Sequence, residues 1–445
     1  MPQSINPATD LIIKSYPEYE AAAVDKILGE VNTAQQEWAK ISLHERARLI
    51  GHLGETLLHN KEKLAKICSE EMGKLIKEAI SEIEKCALTC SYFAENAENF
   101  LQDTIIQTDA HESFVTYRPL GVVLAIMPWN FPFWQVIRFA VPALCAGNGA
   151  VLKHSSNVPG CALALEEMFK EAGLPQNLFR TLLIPSSEVN RIIGNKFIKA
   201  VTITGSTKAG REVSKKAGEE LKKTVLELGG TDPYLILKDA DLAEAAKILV
   251  QGRMLNAGQS CVSPKRLIVE KEIYHEFTKL VQKELENFPA IAPMARKDLR
   301  EDLQSQIDRS VQQGAHCLTG GLIPQGKGAF YPPTLLVDVL PGMTAFSEEL
   351  FGPVVCLIPA LDEEEAIKLA NMSQYGLGGG IFSRDIAKAR KIASERIETG
   401  GVFINDYLKS DPRLPFGGIK ESGHGRELSS FGIKEFVNAK TIYIK

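Results

Sequence analysis

The sequence predicts an α/β fold whose first large unit is a doubly wound parallel sheet. Strand-like and helix-like segments alternate between residues 121 and 226, and runs such as "VVLAIMP" are continuously apolar. Continuous apolar runs of strand length are typical of parallel strands covered on both faces, and alternating β and α segments favour a doubly wound sheet. A second α/β block follows over residues 227–425.

The composition excludes several classes of protein. The 445 residues suggest two to three domains, and 44% hydrophobic with 24% charged residues is ordinary for a globular protein. A net charge of −4 gives no reason to expect nucleic acid or a membrane as a partner. The N-terminus lacks the pattern of a secretory signal. The eight cysteines show no CxxC spacing, so we expect no metal site, and free thiols in the cytoplasm.

Each element follows from a local pattern. Residues 20–60 and 62–103 show apolar residues at helical spacing, and Ser42 with Glu45 forms a capping box that would start the second helix. "SFVTYRPLG" alternates as a strand does, and so does the terminal "EFVNAKTIYIK". The strands predicted for the two α/β blocks are "VVLAIMP", "GAVLKHS", "RTLLIP", "KAVTITGS", "YLILKD", "RLIVE" and "VVCLIPA", with helices between them.

Cys261, in "NAGQSCVSPK", is the first candidate for chemistry. Gly258 permits a sharp turn that would present the thiol, and a reactive cysteine needs access and an oriented partner. A lone cysteine in a loop is more often a small packed residue. Its possible partners are Glu227, which a buried strand end would make a general base, and Asn130, whose amide would donate to an oxyanion. Taken singly, Glu227 could face water and Asn130 could satisfy its own turn.

The strand ends of the first block indicate a phosphate site. "TGSTKAG", residues 204–210, follows a strand and opens a helix, which is the geometry that binds phosphate at a helix N-terminus. It matches neither the Walker A loop nor GxGxxG, so the signal is weak on its own. Lys153 lies at another strand end and could reach a ribose or a phosphate, although a surface lysine is the default interpretation.

Six motifs in order resemble the aldehyde dehydrogenase family: "PWNFP", "VTITGS", "LELGG", "NAGQSC", "EELFGPV" and "LPFGGIKESGHGRE". The closer resemblance is to the bacterial succinate-semialdehyde dehydrogenases of that family. It implies a Rossmann-like cofactor domain over residues 1–107 and 121–226 and an α/β catalytic domain over residues 227–425. It also implies a small β extension for oligomerisation, at residues 108–120 and 426–445, in a homodimer or homotetramer. The edge-like strands at those two places favour the same interpretation.

The resemblance also implies residue roles. Cys261 would be the nucleophile and Glu227 the general base, and Asn130 with the Cys261 N–H would form the oxyanion hole. The residues implied for NAD or NADP binding are Trp129, Lys153, Ser156, Gly205, Ser206, Leu228, Glu349 and Phe351. Ser156 stands where relatives specific for NAD often carry a glutamate, and Lys153 and His154 are adjacent, so we expect both cofactors to be used.

The implied substrate, succinate semialdehyde, carries a carboxylate that needs a cation. Arg138 is the position that the resemblance gives to this role, while the alternative is that Arg138 pairs with a structural carboxylate. A second arginine of many relatives is replaced here by Leu255, so we expect the second contact from Lys409, Ser410 or Arg413. Another small aldehyde remains an alternative substrate. A cysteine hydrolase or a non-catalytic protein is a further alternative, although none of the eight histidines is placed as a hydrolase base.

Overall fold

The computed structural model describes residues 3–445, which form two large sheets and three small ones. The strands, in chain order, are β1 Gln3–Ile5, β2 Ile12–Ser15, β3 Thr104–Ile105, β4 Glu112–Pro119, β5 Val122–Met127, β6 Gly149–His154, β7 Phe179–Thr181, β8 Ile198–Thr204, β9 Lys223–Glu227, β10 Pro233–Ile236, β11 Arg266–Glu270, β12 His316–Thr319, β13 Thr334–Val337, β14 Val354–Ala360, β15 Tyr375–Gly376, β16 Gly379–Phe382, β17 Val402–Ile404, β18 Ile419–Lys420, β19 Gly423–His424 and β20 Val437–Ile444.

Helices precede the first sheet and alternate with the strands of both large sheets. They are α1 Ala21–Trp38, α2 Leu43–His59, α3 Lys61–Met72, α4 Ile76–Leu101, α5 Trp134–Cys145, α6 Pro159–Glu171, α7 Val189–Gly194, α8 Thr207–Glu219, α9 Leu242–Met254, α10 Tyr274–Glu286, α11 Lys297–Gln312, α12 Thr344–Ser347, α13 Glu363–Asn371, α14 Ile386–Glu395 and α15 Ser429–Gly432. Ser42 accepts a hydrogen bond from Glu45 N at the start of α2, so the predicted cap is confirmed. No helix of residues 3–445 is both long and apolar enough to cross a membrane.

The first large sheet has the order β19-β9-β8-β5-β6-β7. The pairs from β9 to β7 are parallel, and β19 joins the edge antiparallel to β9. Because the chain runs from β5 outward to β7 and then returns to β8 on the other side, the topological switch lies between β5 and β8. Ligands of doubly wound sheets bind at the carboxyl ends of the strands beside such a switch. The predicted doubly wound parallel sheet is confirmed.

The second large sheet has the order β12-β13-β14-β11-β10-β16-β17. All its pairs are parallel except that of β12 with β13. Strands β10, β11 and β14 are almost wholly buried, as their continuous apolar runs indicate, whereas the edge strand β12 is largely exposed. The loop that carries Cys261 connects α9 to β11, at the centre of this sheet, and therefore stands on a well-supported element.

The third sheet has the order β20-β4-β3, and eight residue pairs join β20 to β4 in antiparallel register. The sequence predicts edge-like strands at both segments. β4 is the central strand in this order, paired with β20 along its whole length on one side. On its other side it pairs with β3 at Phe114 and Val115 only, so the rest of that edge is unpaired within the sheet.

Candidate active site

A cavity of about 900 Å³ lies between α4, the start of α5, the Cys261 loop and the segment 403–416. Cys261 lies in its wall and is half-buried. Most of the wall is apolar, with the side chains of Phe131, Trp134 and Phe416 facing the space. A small molecule in this cavity can therefore reach the thiol while much of its surface is removed from water.

The backbone before Cys261 is held in an unusual conformation. Asn256, Ala257 and Gly258 all have positive φ, of 55°, 52° and 70°. A side chain at Gly258 would collide with the backbone of Gly352, in the "FGPV" segment. The predicted sharp turn at Gly258 is confirmed, and its reason is both the left-handed backbone and this close approach.

Arg253 braces the same loop from inside and was not predicted to contribute. Its guanidinium donates to the carbonyl oxygens of Gly258 (3.1 Å) and Leu350 (2.6 Å), and also to Ser263 Oγ and the Val354 carbonyl. It is fully buried, and burial lowers its pKa to about 10. Since these acceptors come from both sides of the loop, Arg253 ties the nucleophile segment to the "EELFGPV" segment.

Asn130 lies directly against the Cys261 loop. Its Nδ2 donates to the Gln259 carbonyl (3.0 Å), its Oδ1 accepts from Gln135 Nε2 (3.0 Å), and its own carbonyl accepts from Asn256 Nδ2 (2.8 Å). An amide group carries two N–H donors, so one of them remains for a ligand. The loop of Asn130 and the loop of Cys261 are thus locked together, although "PWNFP" and "NAGQSC" lie far apart in the sequence.

The start of α5 is positioned by a buried carboxylate. Glu82 Oε1 accepts hydrogen bonds from the backbone N–H groups of Phe133 and Trp134, both at 2.9 Å, and Glu82 is ion-paired with Lys74. A carboxylate at this place satisfies the free donors of a helix N-terminus and is favoured by its dipole. Because α5 carries Gln135 and Arg138 into the cavity wall, Glu82 sets the position of both.

Glu227 ends β9 and is 2% exposed, and neither carboxylate oxygen has a hydrogen-bond partner within residues 3–445. A Cβ added to Gly417 would lie 2.7 Å from its Oε1, so the backbone of that segment covers the group. Burial, and then the nearby Glu427, raise the pKa of Glu227 well above its ordinary value. The alternative in which Glu227 faces water is excluded. An unpartnered carboxyl in a dry site can hold or release a proton.

Burial and nearby charges act in opposite directions on the pKa of the Cys261 thiol. Burial raises its pKa to about 12, while the charges of Lys265 and Arg138 act in the opposite direction. Lys265 Nζ donates to the Cys261 carbonyl oxygen and lies 3.1 Å from Glu349 Oε1. Glu349 is therefore paired with a cation that also contacts the backbone of Cys261.

Two predicted cofactor residues lie at the end of β6, Lys153 within the strand and Ser156 just after it. Lys153 is 7% exposed, its Nζ donates to the His154 carbonyl (3.1 Å), and no carboxylate of residues 3–445 lies within ion-pair distance. Ser156 is exposed in the next turn. The position of His154 next to Lys153 suggests that it could contact a ligand, but the structure shows otherwise. His154 is buried, its Nε2 lies 2.9 Å from the Pro132 carbonyl oxygen, and its Nδ1 accepts a hydrogen bond from Ser155 N. Burial lowers the His154 pKa to about 4, so it stays neutral.

The remaining predicted cofactor residues flank the topological switch. Ser206 caps α8 by accepting from Ala209 N. Gly205, just before it, donates its N–H to the Glu227 carbonyl oxygen (3.0 Å). Leu228 packs against α8 so closely that a Cβ on Gly210 would meet it at 2.5 Å. Trp129 and Phe351 pack edge to face with ring centres 5.7 Å apart.

The three predicted substrate residues occupy different environments. Arg138 lines the cavity, but it is 2% exposed and ion-paired with buried Glu427, with Thr204 Oγ1 at 3.3 Å from Nη2. The structure therefore shows the alternative arrangement, in which Arg138 pairs with a carboxylate of the protein. Ser410 lines the cavity.

Arg413 does not line the cavity. Its side chain is 73% exposed and makes two hydrogen bonds to Asp411, of 2.8 and 2.6 Å. Lys85 on α4, which the sequence analysis missed, lines the cavity instead. The sequence contains one indication of this role. Lys85 lies beside the buried face of helix α4, where a charged residue is unusual.

Residues 2–442 match the model of the aldehyde dehydrogenase family. This chain belongs to the aldehyde dehydrogenase family. The six motifs of the sequence thus indicate the correct family. The predicted fold class is confirmed as well.

Aldehyde dehydrogenases similar to this chain along its full length include two curated proteins and one solved structure. A probable NADP(+) succinate-semialdehyde dehydrogenase of Synechocystis is 43% identical, covering 99% of each chain. An NAD(P)+ succinate semialdehyde dehydrogenase of Escherichia coli is 44% identical, covering 99% of this chain and 97% of the other. The structure of succinic semialdehyde dehydrogenase from Streptococcus pyogenes, in complex with NADP+, matches with a TM-score of 0.97 at 37% identity and covers 100% of both chains.

Proposed function

We propose that this aldehyde dehydrogenase oxidises succinate semialdehyde to succinate with NAD or NADP. The observation that supports the proposal is the half-buried Cys261 thiol in the wall of the cavity, on a loop hydrogen-bonded to Asn130, whose amide keeps one N–H free to donate. The buried carboxyl of Glu227 is the candidate base. Full-length relatives named for that reaction support the choice of substrate. Another small aldehyde is the alternative within the same chemistry.

The residues of this chain divide the reaction between them. Transfer of the Cys261 proton to water gives a thiolate, whose sulfur adds to the aldehyde carbon. The oxygen of that carbon becomes an oxyanion, and the free Asn130 N–H and the Cys261 backbone N–H donate to it. When bound, NAD or NADP accepts the hydride from this carbon, which leaves a thioester on Cys261. Glu227, in its carboxylate form, takes a proton from water, and the resulting hydroxide attacks the thioester carbon, expels the Cys261 thiolate and releases the acid.

The protonation of Cys261 bears on the first step of this order. Burial raises the pKa of the Cys261 thiol to about 12, and the thiolate is the reactive form. Any positive charge that approaches Cys261 lowers that pKa. A cationic group beside Cys261 would therefore favour the nucleophilic form.

The residues that would hold the cofactor fit a dinucleotide. Buried Lys153 has no carboxylate partner in the described residues and suits a ribose or a 2′-phosphate, and the start of α8 at Ser206 suits a pyrophosphate. Glu349 would hold the nicotinamide ribose, with Trp129 and Phe351 along the path. On this basis we assign the six-stranded sheet to the cofactor domain, the seven-stranded sheet to the catalytic domain and the three-stranded sheet to the oligomerisation extension.

We further infer a homodimer or homotetramer in the cytoplasm. The free edge of β20 in the three-stranded sheet favours pairing with a second subunit. All eight cysteines are free thiols, which suits a reducing compartment. Sedimentation at micromolar concentration measures the assembly, and a monomer would contradict this inference.

The test is reduction of NAD and of NADP, followed by absorbance, with succinate semialdehyde and with butanal. We expect both cofactors to be used, with catalytic efficiencies within about a thousandfold, because no carboxylate stands at exposed Ser156. Reduction with butanal but not with succinate semialdehyde would favour the alternative substrate. Absence of reduction with any aldehyde, or cofactor-independent hydrolysis alone, would overturn the proposal.

A further inference from the structure

The cavity wall contains five cationic side chains, and their partners differ. Lys74 is paired with Glu82, Arg138 with Glu427, and Lys409 with Asp406 at 2.9 Å. The other two are Lys77 and Lys85, and no carboxylate of residues 3–445 lies within 4 Å of their amino groups. Lys77 is exposed at the rim, where water solvates it.

The acidic residues of the wall make contacts to groups other than Lys85. Glu78 Oε1 accepts from Asn256 N (3.0 Å) while its Oε2 has no hydrogen-bond partner in residues 3–445, Glu82 is held by the start of α5, and Asp411 is bound twice by Arg413. None of them neutralises Lys85. A partly buried ammonium without a counter-ion is costly, and an anion that enters the cavity would remove that cost.

Lys85 is also oriented. Its Nζ donates to Ser410 Oγ at 2.7 Å and stands 4.1 Å from the centre of the Trp134 ring. A hydroxyl that accepts from an ammonium keeps its own hydrogen free to donate. Lys85 and Ser410 therefore present two donors side by side, which suits the two oxygens of one carboxylate.

We propose that Lys85, together with Ser410, binds the carboxylate of the substrate at the end away from the aldehyde. This inference rests on the proposed oxidation of succinate semialdehyde. It replaces Arg138 in that role, because the charge of Arg138 is already neutralised by Glu427. Leu255, in the same cavity wall, offers no charge. Lys85 is thus a specificity-determining residue that contacts the part of the substrate that does not react.

The charge of Lys85 changes with pH in a range where the substrate preference can be measured. Burial, and then the nearby Arg138, lower its pKa to about 8, while Cys86, Glu82 and Asp411 act in the opposite direction. The ammonium is therefore fully charged below that value and loses its charge as the pH rises through it. Preference for a carboxylated aldehyde should fall in the same range.

The experiment compares kcat/KM for succinate semialdehyde with that for butanal, as a ratio, in the wild type and in Lys85→Met. We expect the ratio to fall roughly 10- to 100-fold, the scale of one charged hydrogen bond. Lys77→Met removes the same charge from the same helix at the rim and should change the ratio less than about twofold. Arg138→Met should lower both efficiencies, because it leaves Glu427 buried and unpaired.

An unchanged ratio in Lys85→Met, in an enzyme whose wild type oxidises succinate semialdehyde, would overturn the inference and leave the proposed function intact. A wild type that does not oxidise succinate semialdehyde would instead overturn the proposed function. As a second readout, the wild-type ratio should decline above about pH 8, whereas Lys85→Arg should keep it, because a guanidinium stays charged. The same decline in Lys85→Arg would assign the titration to another group and count against Lys85.

Discussion

The two sides of the proposed reaction centre are built differently. The Cys261 loop is tied by Arg253, Asn256 and Lys265, and at Gly258 it packs backbone against backbone. The backbone of Glu227, on the other side, belongs to β9, but its carboxylate has no hydrogen-bond partner in residues 3–445 and is buried. The thiol thus stands on a loop fixed by side-chain hydrogen bonds, whereas the carboxylate is enclosed without any.

The difference follows from what each group has to do. A nucleophile must stand at one place relative to the oxyanion donors, and directional hydrogen bonds provide that precision. A base that serves a water molecule must have a proton affinity close to the working pH, and a hydrogen-bonded carboxylate would be too weak a base. The two sides therefore lower the stability of the protein for different reasons: the Cys261 loop has a left-handed backbone, and the Glu227 carboxylate is buried without a hydrogen-bond partner.

Removal of the thiol is the largest expected effect. Cys261→Ala should lower aldehyde turnover by roughly 10⁴-fold or more, because the covalent route is lost. Binding of NADP, measured by fluorescence or calorimetry, should persist, since no cofactor contact is removed. Turnover above about one part in a hundred of the wild-type rate would show that the reaction is not covalent at Cys261.

Substitution of the braced backbone is the next largest. Gly258→Ala should destabilise the protein by roughly 3 kcal/mol or more, because a left-handed backbone costs about 1–2 kcal/mol and a collision with Gly352 adds to it. Thermal unfolding measures the change. Gly218→Ala, at a helical position with open space around it, is the matched control and should be neutral or slightly stabilising. Equal midpoints for the two variants would mean that the loop is not held as described.

The base side should fail at a different step. Glu227→Gln should keep a rapid first release of reduced cofactor, because the thiol and its donors are intact, and should lower steady-state turnover by about a hundredfold, because water is no longer activated. Stopped-flow absorbance separates the two phases. Normal steady-state turnover would remove Glu227 from the role of base, and loss of the burst would place it earlier in the reaction.

The smallest effect concerns stability. The folded pKa of Glu227 lies above the value of about 4.5 expected when unfolded, so its contribution is fully present below that pH and is lost as the pH rises through the folded pKa. Glutamine does not titrate. Glu227→Gln should therefore become progressively more stable than the wild type as the pH rises above about 4.5. Exposed Glu212→Gln should show no such trend in unfolding midpoints, and a parallel trend would indicate general charge effects.

Much of the catalytic side is readable from local sequence. Glu227, Asn130 and Gly205 follow apolar strand runs, and the carboxyl ends of parallel strands meet at one edge of a sheet. Cys261 follows a glycine whose left-handed backbone and close approach the turn pattern indicates. Where strand ends and turns carry the function, periodicity and motif order were sufficient to place the residues on the correct elements.

The substrate side was not readable in the same way. Arg138 has the spacing of a substrate ligand, yet Glu427 from the end of the chain neutralises it. Lys85 lies in a long amphipathic helix without a motif, and it reaches the cavity only because α4 packs along α5. Nor does any local pattern show that β20 pairs with β4 and makes it a central strand.

The sequence by itself determined the alternation of strands and helices, the turn at Gly258 and the identity of the groups that can perform the chemistry. Each depends on residues within a few positions of one another, through backbone hydrogen bonding and side-chain periodicity. Only the tertiary structure decided which charges are neutralised and which remain free in the cavity. The reason is that a buried charge takes its partner from whichever segment folding brings within a few ångströms, and that distance is not written in the neighbouring residues.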